Sequence, residues 1–505
     1  MLSTARNPLR AFVVAATAIL LLALAPLAYA YGPSVLYQPP SGTPEYGALY
    51  PKTVQLHHNG AQNGTLLATF EQPATTPVFP VYRSTDNGET WSRISSVADT
   101  VNGWGNRNGA FLYELPQQIG DMPAGTILCV GLSAPSDKSA ERMEVYKSND
   151  AGRNWAWVSE IAQSGGYQTT PIWEPFVMVA NNKLIVYYSD ERDKAHNNQK
   201  IVHQTSTDGV HWGPVVNDVA PTDSNLRPGM PVVSKLANGK YFMSYEVVNL
   251  GSGTPNHFKI SDDPEDWNAT DLGTQLDKGG SPYNIVLPDG KLVYNSYGSG
   301  DVLVNTDNGS GPWTHVKTPI EAGYSRTLQY VSGTGRVLIM SCGGFWQGTT
   351  NTIRYADVDL GHSAGAYYKL VNRKSGKVLG VQGGSLADGA DLVQWTGTGA
   401  PDQAWHMTAA SGGGATVLGD RGSGRVIGVY ASGTADGAAV VQWLDTGAAD
   451  QRWQVVQAGS YVKLRNVGSG KVLGVLGGST ADGAQVVQWT DNGSLDQQWQ
   501  VVQVG

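Results

Sequence analysis

The feature that most constrains this chain is that it repeats itself twice, on two different periods. A turn followed by an apolar run recurs six times, as Asn63-Gly64-Thr65-Leu66, Ala124-Gly125-Thr126-Ile127, Asn181-Asn182-Lys183-Leu184, Asn238-Gly239-Lys240-Tyr241, Asp289-Gly290-Lys291-Leu292 and Thr334-Gly335-Arg336-Val337. The second turn residue steps by 61, 57, 57, 51 and 45 positions. Asn-Gly and Asp-Gly before an apolar run are hairpin signals. Interleaved with them is Ser-x-Asp-x-Gly-x-x-Trp, at Ser84 to Trp91 and Ser148 to Trp155, with looser copies ending at Trp212, Trp267 and Trp313. There the Asp caps a tight turn, Gly takes the positive φ and the Trp tucks beneath, so these are architectural hairpins. Six units of about 55 residues, each with room for four short strands, predict a six-bladed β-propeller over residues 31–362.

The second period lies in residues 363–505. Val-Gln-Trp ends at Trp395, Trp443 and Trp489, and Gln-x-Trp ends at Trp405, Trp453 and Trp499, both stepping by 48 and then 46. The fold class is therefore all-β, with a short Gly-rich linker at 361–365 between the two arrays. Sparse charge and abundant Gly (63), Trp (15) and Tyr (23) agree with many turns and few helices.

The first 30 residues read as a secretory leader: Arg6 and Arg10, an apolar run from Ala11, and Ala28-Tyr29-Ala30 before the cut. Export is expected, with Tyr31 as the mature start. Losing the leader removes two arginines and no acid, taking the net charge from −8 to −10, which argues against nucleic acid or an anionic membrane as partner. No later stretch is apolar enough to span a bilayer, and a monomer is expected. The two cysteines, Cys129 and Cys342, are left open between one disulfide and two buried thiols.

Propeller geometry puts the start of each innermost strand at the central site. Those starts carry Lys52, Arg107, Glu174, Arg227, Tyr283 and Arg326. The equivalent register of the next strand carries Glu71, Leu132, Ser189, Glu246, Tyr297 and Cys342. Glu174, flanked by Trp173, Pro175 and Phe176, and Glu246, after Tyr245, fall on neighbouring blades near one end of the tunnel. Paired carboxylates are the apparatus of glycoside hydrolysis, and aromatic surroundings raise a carboxyl pKa and offer a sugar a stacking floor. Arg227, Arg326 and Tyr324 are candidates for substrate contact, weighed evenly against structural pairing. Glu71 is a third active-site acid by position, Asp190 and Asp193 are weaker competitors, and Trp104 and Trp346 sit in Gly-rich loops. No metal-ligand spacing, nucleotide fingerprint or Ser-His-Asp arrangement is present, so no cofactor and no metal is expected.

Four strings together resemble glycoside hydrolase family 93, the exo-acting arabinanases. They are Trp-Glu-Pro-Phe around Glu174, Tyr-Tyr-Ser-Asp-Glu-Arg-Asp over 187–193, Arg-Pro-Gly-Met-Pro over 227–231, and Tyr-Glu at Glu246. The resemblance implies a retaining exo-α-1,5-L-arabinanase that frees arabinobiose from linear arabinan, with Glu174 as nucleophile, Glu246 as general acid/base and Trp173 beside the substrate. A sialidase is the second reading: it would use Tyr324 with Arg227 and Arg326, but needs a third arginine where this chain has Lys52. A non-catalytic glycan-binding propeller is the third.

The threefold Gln-x-Trp array is similar to the ricin-type β-trefoil carbohydrate-binding module. Trp405, Trp453 and Trp499 are expected in the core, and binding is expected at Asp402, Asp450 and Asp496 with Trp395, Trp443 and Trp489. The chain departs from the ricin pattern at Gly380, Gly428 and Gly474, where many units carry a sugar-gripping Asp. A glycan is thus the expected partner of the second domain, tethering the enzyme to its polymer.

Overall fold

The computed structural model describes residues 31–41, 46–74, 76–167, 169–344, 351–360, 367–409 and 415–504. The leader, the linker and Trp346 lie outside the described residues. The first array folds as six four-stranded antiparallel sheets around a common axis. Their innermost strands, Leu49–Gln55, Gly105–Glu114, Ile172–Ala180, Arg227–Lys235, Tyr283–Val286 and Thr327–Val331, neighbour one another in a closed ring. Each hairpin turn of the sequence repeat joins an innermost strand to the next one outward, as the spacing predicts. That second strand is sandwiched between neighbouring blades, which is why runs such as Ile127–Ala134 and Arg336–Ser341 are buried along their whole length.

One strand comes from outside the repeat. Ser34–Tyr37 pairs antiparallel with Ile353–Val358 and becomes the outer strand of the sixth blade. The ring is thereby closed by the two ends of the domain, with the Tyr31 amide on Asp357 Oδ1 at 3.0 Å. The Ser-x-Asp-x-Gly turns do the architectural work expected of them. Ser84 Oγ accepts from the Gly88 amide at 2.8 Å, Asp86 Oδ1 from the Thr90 amide at 3.0 Å, and Trp91 Nε1 donates to Gly88 O at 3.0 Å. Cys129 and Cys342 are both free and buried, in the second and sixth blades.

The second array is a β-trefoil of three four-stranded repeats, beginning at Tyr367–Asn372, Thr416–Asp420 and Tyr461–Asn466. Trp405, Trp453 and Trp499 are fully buried at its centre, each donating Nε1 to a backbone carbonyl at 3.1 Å (Leu379, Ile427 and Leu473). The trefoil meets the propeller at Tyr367, whose hydroxyl donates to Ser332 O at 2.6 Å.

The threefold symmetry is broken at one buried position. Asn372 and Asn466 donate their amide nitrogens to Asp496 O and Asp450 O at 2.8 and 2.6 Å. The equivalent residue of the second repeat is Asp420, which has no hydrogen to give when ionised. Its Oδ1 is buried without a partner, while Oδ2 accepts from the Ser423 amide. Burial first, and then the charge of Asp402, push its carboxyl up to about 7. A carboxyl raised by folding costs nothing below its ordinary value of 3.8 and destabilises progressively as pH rises from about 4 to about 7. Asp420→Asn restores the donor and removes that cost. It is expected to raise stability by about 2–4 kcal/mol at pH 7.5 and to change little at pH 3.5, read from chemical denaturation at the two pH values.

Candidate active site

The mouth of the propeller is built from one backbone device used six times. At the head of each innermost strand a residue takes left-handed φ: Tyr50 (49°), Gly109 (67°), Glu174 (58°), Met230 (56°), Ser281 (53°) and Ser325 (51°). In four blades this coincides with a slip of register, between Leu49 and Lys52, Asn108 and Phe111, Trp173 and Phe176, and Gly229 and Val232. Such bulges free backbone N–H groups from the ladder and re-aim them. Here five of the six are turned onto side-chain oxygens: Tyr50 onto Ser325 Oγ, Gly109 onto Glu71, Met230 onto Glu174, Ser281 onto Glu246 and Ser325 onto Ser281 Oγ. Five of these left-handed residues carry a Cβ, a conformation costing about 1–3 kcal/mol each, and such strain collects where a site demands it.

Glu174 is itself one of the six. Its Oε1 accepts from the Tyr50 hydroxyl at 3.0 Å, and its Oε2 from Ser189 Oγ at 3.0 Å and the Met230 amide at 3.2 Å. Burial raises this carboxyl, and those three donors together with Arg227 pull it back. Glu246 stands on the second strand of the next blade, opposite Gly229. A Cβ at Gly229 would lie 3.6 Å from Glu174 Oε2, and the charge of Glu174 bears on Glu246. Among the described residues Glu246 has a single donor, the Ser281 amide on Oε2 at 2.7 Å. Burial first, and then the charge of Glu174, push it up to about 7. The pair therefore holds one proton near neutrality, and the donor count puts the charge on Glu174 and the proton on Glu246.

Glu71 joins them from the first blade. Its Oε1 accepts the Gly109 amide at 2.5 Å, and burial lifts its carboxyl to about 8. Lys52 faces the same space with its ammonium 5.0 Å from the centre of the Tyr283 ring, and burial lowers it to about 8 while Glu174 opposes that shift. Below that pH the site holds a neutral Glu71 and a cationic Lys52 beside Glu174. Lys52 and Glu174 border a small cavity that is lined also by Tyr50, Phe176, Met230 and Arg326.

Of the other expected contacts, Tyr324 packs edge-on against Tyr50, ring centres 5.8 Å apart, and feels the charges of both Glu246 and Glu174. Trp173 leans on Tyr167 at 5.1 Å and donates Nε1 to Glu191 Oε1 at 2.9 Å. That same carboxylate takes Arg227 Nη2 at 2.6 Å, and Gln199 Oε1 takes it at 2.7 Å. Arg227 is thus held beside the glutamates by Glu191, which the sequence reading did not single out. Arg326 does not bring its guanidinium to the carboxylates: it is fully buried, with Nη1 on Ser299 O at 2.9 Å and Nη2 on Gly300 O and Thr318 Oγ1 at 3.3 Å. With Arg326 spent on blade packing and a lysine at position 52, no arginine triad forms for a sialic-acid carboxylate. Asp190 is engaged by Arg192 at 2.8 Å, and Asp193 by His196 at 2.7 Å, which leaves both as local braces. Trp104 lies under the Arg142 guanidinium at 5.3 Å.

Tyr50 and Ser189 are the functional side chains that sequence reading passed over. Ser189 sits inside the Tyr-Tyr-Ser-Asp string and at the register equivalent to Glu246, so the signal for it was present. Tyr50 carries none, because its approach to Glu174 depends on a left-handed backbone at a non-glycine residue. Among the described residues no group of three or more His, Cys, Asp or Glu side chains converges to hold a metal. On the trefoil, Trp395, Trp443 and Trp489 are exposed to 45, 40 and 39%. Asp402, Asp450 and Asp496 are half-buried, each with Oδ2 close over the glycine, 380, 428 or 474, that departs from the ricin pattern.

The C-terminal repeat matches a family model described as ricin-type β-trefoil lectin domain-like, over residues 357–443 and 449–505. No curated protein matches the chain. Among solved structures, the propeller is similar to an α-L-arabinanase of Penicillium chrysogenum complexed with arabinobiose. The identity is 38%, over 65% of this chain and 98% of that one, with a TM-score of 0.61. It is similar also to the family 93 α-L-arabinofuranosidase of Fusarium graminearum in complex with arabinobiose, at 35% identity over 66% of this chain and 99% of that one, with a TM-score of 0.61. Identity at this level over the whole length of those enzymes, on a propeller whose mouth gathers buried carboxyls, makes the chain a glycoside hydrolase that belongs to family 93, with a ricin-type trefoil joined to its propeller.

Proposed function

We propose that the protein is a secreted, retaining exo-α-1,5-L-arabinanase that releases arabinobiose from the ends of linear arabinan, with Glu174 as nucleophile and Glu246 as general acid/base. The observation that carries this reading is the unequal solvation of the two buried carboxyls: three donors on Glu174, one on Glu246. In the first step Glu174 Oε1, which has only the Tyr50 hydroxyl to hold, attacks the anomeric carbon. The glycosidic C–O bond breaks, and Glu246 gives its proton to the departing oxygen. In the second step Glu246 takes a proton from water, the hydroxide adds to the same carbon, and Glu174 leaves as the carboxylate. Two inversions return the original α configuration.

Lys52 and the bulge amides supply fixed positive potential around the anion, where a low dielectric makes it count. Trp173 and Tyr167 offer an aromatic wall to the sugar. The disaccharide product is inferred from relatives described in complex with arabinobiose, the export from the leader sequence, and the glycan tether from the lectin-like family of the trefoil. The reading is tested by digesting linear debranched arabinan and, separately, a sialoside. One disaccharide is expected from the earliest time points and nothing from the sialoside; a ladder of oligomers, or sialic acid, contradicts it.

A further inference from the structure

Three near-identical repeats suggest three equivalent sugar sites, but the three carboxylates are not equally free. Resting on the reading of the trefoil as a glycan-binding unit, we infer that it binds through one pocket only, the one built on Asp402. The ligand is a neutral sugar presenting two adjacent hydroxyls to that carboxylate.

The argument turns on what surrounds each Asp at three repeat-equivalent positions. In the second repeat the turn residue is Ser432, whose Oγ donates to Asp450 Oδ1 at 3.1 Å, so the carboxylate already has a hydroxyl on it. In the third repeat Asp496 Oδ1 takes Ser494 Oγ at 2.7 Å. The Lys374 side chain also crosses from the first repeat to put Nζ on Gly478 O at 2.5 Å, over the floor of that pocket. The pocket around Asp402 has none of these. Its counterparts of Ser432, Ser494 and Lys374 are Gly384, Ala400 and Gly422.

The two glycines are what keep the first pocket open. Gly384 holds left-handed φ (62°), and a Cβ there would approach Asp402 Cγ to 3.9 Å. A Cβ at Gly422 would stand 3.4 Å from the Asp402 amide. Among the described residues no side chain donates to the Asp402 carboxylate, so its lone pairs are available to a ligand. A half-buried carboxylate with free lone pairs in a glycine-walled recess suits paired hydroxyls, because a hydrogen bond to a charged acceptor is strong and each sugar hydroxyl can donate one. The occupied carboxylates would have to break an internal hydrogen bond first. Binding to one site in three removes the avidity that three equal sites would give, so the tether depends on a single contact.

The test uses the full-length chain in affinity electrophoresis, through gels containing linear arabinan, galactan or xylan, with retardation of each variant set against wild type on the same gel. Because only differences between variants are read, retention by the propeller cancels. Asp402→Ala is expected to lower retention on at least one polymer by about tenfold or more, and Asp450→Ala and Asp496→Ala to leave it within about twofold. Gly384→Ser, which copies the closed second pocket, is expected to act like Asp402→Ala, with unchanged thermal melting showing that the trefoil is folded. Retention equally sensitive to all three Asp variants, or insensitive to Asp402→Ala, overturns the single-pocket inference while the glycan-binding reading stands. Failure of the wild-type chain to be retained on any gel overturns both.

Discussion

Glu174→Ala is expected to abolish turnover of linear arabinan, lowering kcat by about ten-thousandfold, in a protein that melts at or above the wild-type temperature. The fold should tolerate it because the change removes a buried charge, and of the donors it strands Tyr50 and Met230 line a cavity while Ser189 Oγ keeps the Met230 amide. Glu246→Ala is expected to cost about a thousandfold on arabinan, where the leaving sugar needs a proton, and far less on a nitrophenyl arabinoside, where it does not. Azide separates the two roles. Added to Glu246→Ala it should accelerate turnover and yield the α-azide, since the intermediate on Glu174 still forms. Added to Glu174→Ala it should yield the β-azide by a single displacement. Steady-state kinetics and proton spectra of the azides read all of this, and equal losses on both substrates for Glu246→Ala would contradict the assignment of the acid.

The second large effect is on pH. Activity needs one proton on the pair, so kcat/KM should be bell-shaped. The alkaline limb belongs to Glu246, whose carboxyl is raised to about 7 by burial and by the charge of Glu174. The sign follows: the group must be protonated to act, so rate is retained below that value and falls about tenfold per pH unit above it. In Glu246→Gln, assayed with the nitrophenyl substrate, the alkaline limb should vanish. The acid limb should stay close to its wild-type position, because Glu246 is already neutral at the pH where Glu174 takes up its proton, and an amide is neutral too. An alkaline limb that survives Glu246→Gln would have to belong to another group, and Glu71 and Lys52, both near 8, would be the ones to examine.

Much of the architecture was legible because propeller blades and trefoil repeats announce themselves through turns. Asn-Gly, Asp-Gly and the capped Ser-x-Asp-x-Gly corners are local chemistry, and local chemistry survives in sequence. The strand Ser34–Tyr37 was missed for the opposite reason: four residues pair with a segment more than 300 positions away, and nothing nearby marks it. Glu174 and Glu246 could be placed on neighbouring blades from register alone. The register at the mouth was nevertheless shifted by bulges at Tyr50, Glu174 and Met230, none of them glycine, so the left-handed turn had no residue to signal it. Arg326 shows a different limit. Its strand position faces the axis, but a long side chain can bend back, and its guanidinium satisfies carbonyls between blades. The inequivalence of the trefoil pockets was hidden for a similar reason, since Lys374 closes a site 104 residues further on.

The most direct test of the central claim is the configuration of the first sugar released. Arabinan digested in a spectrometer tube should give arabinobiose whose new reducing end appears first as the α anomer and only later mutarotates, because two displacements at Glu174 restore the starting geometry. A β anomer at the earliest times would mean a single displacement by water. Glu174 would then be a base or a bystander, and the covalent step assigned to it would be wrong.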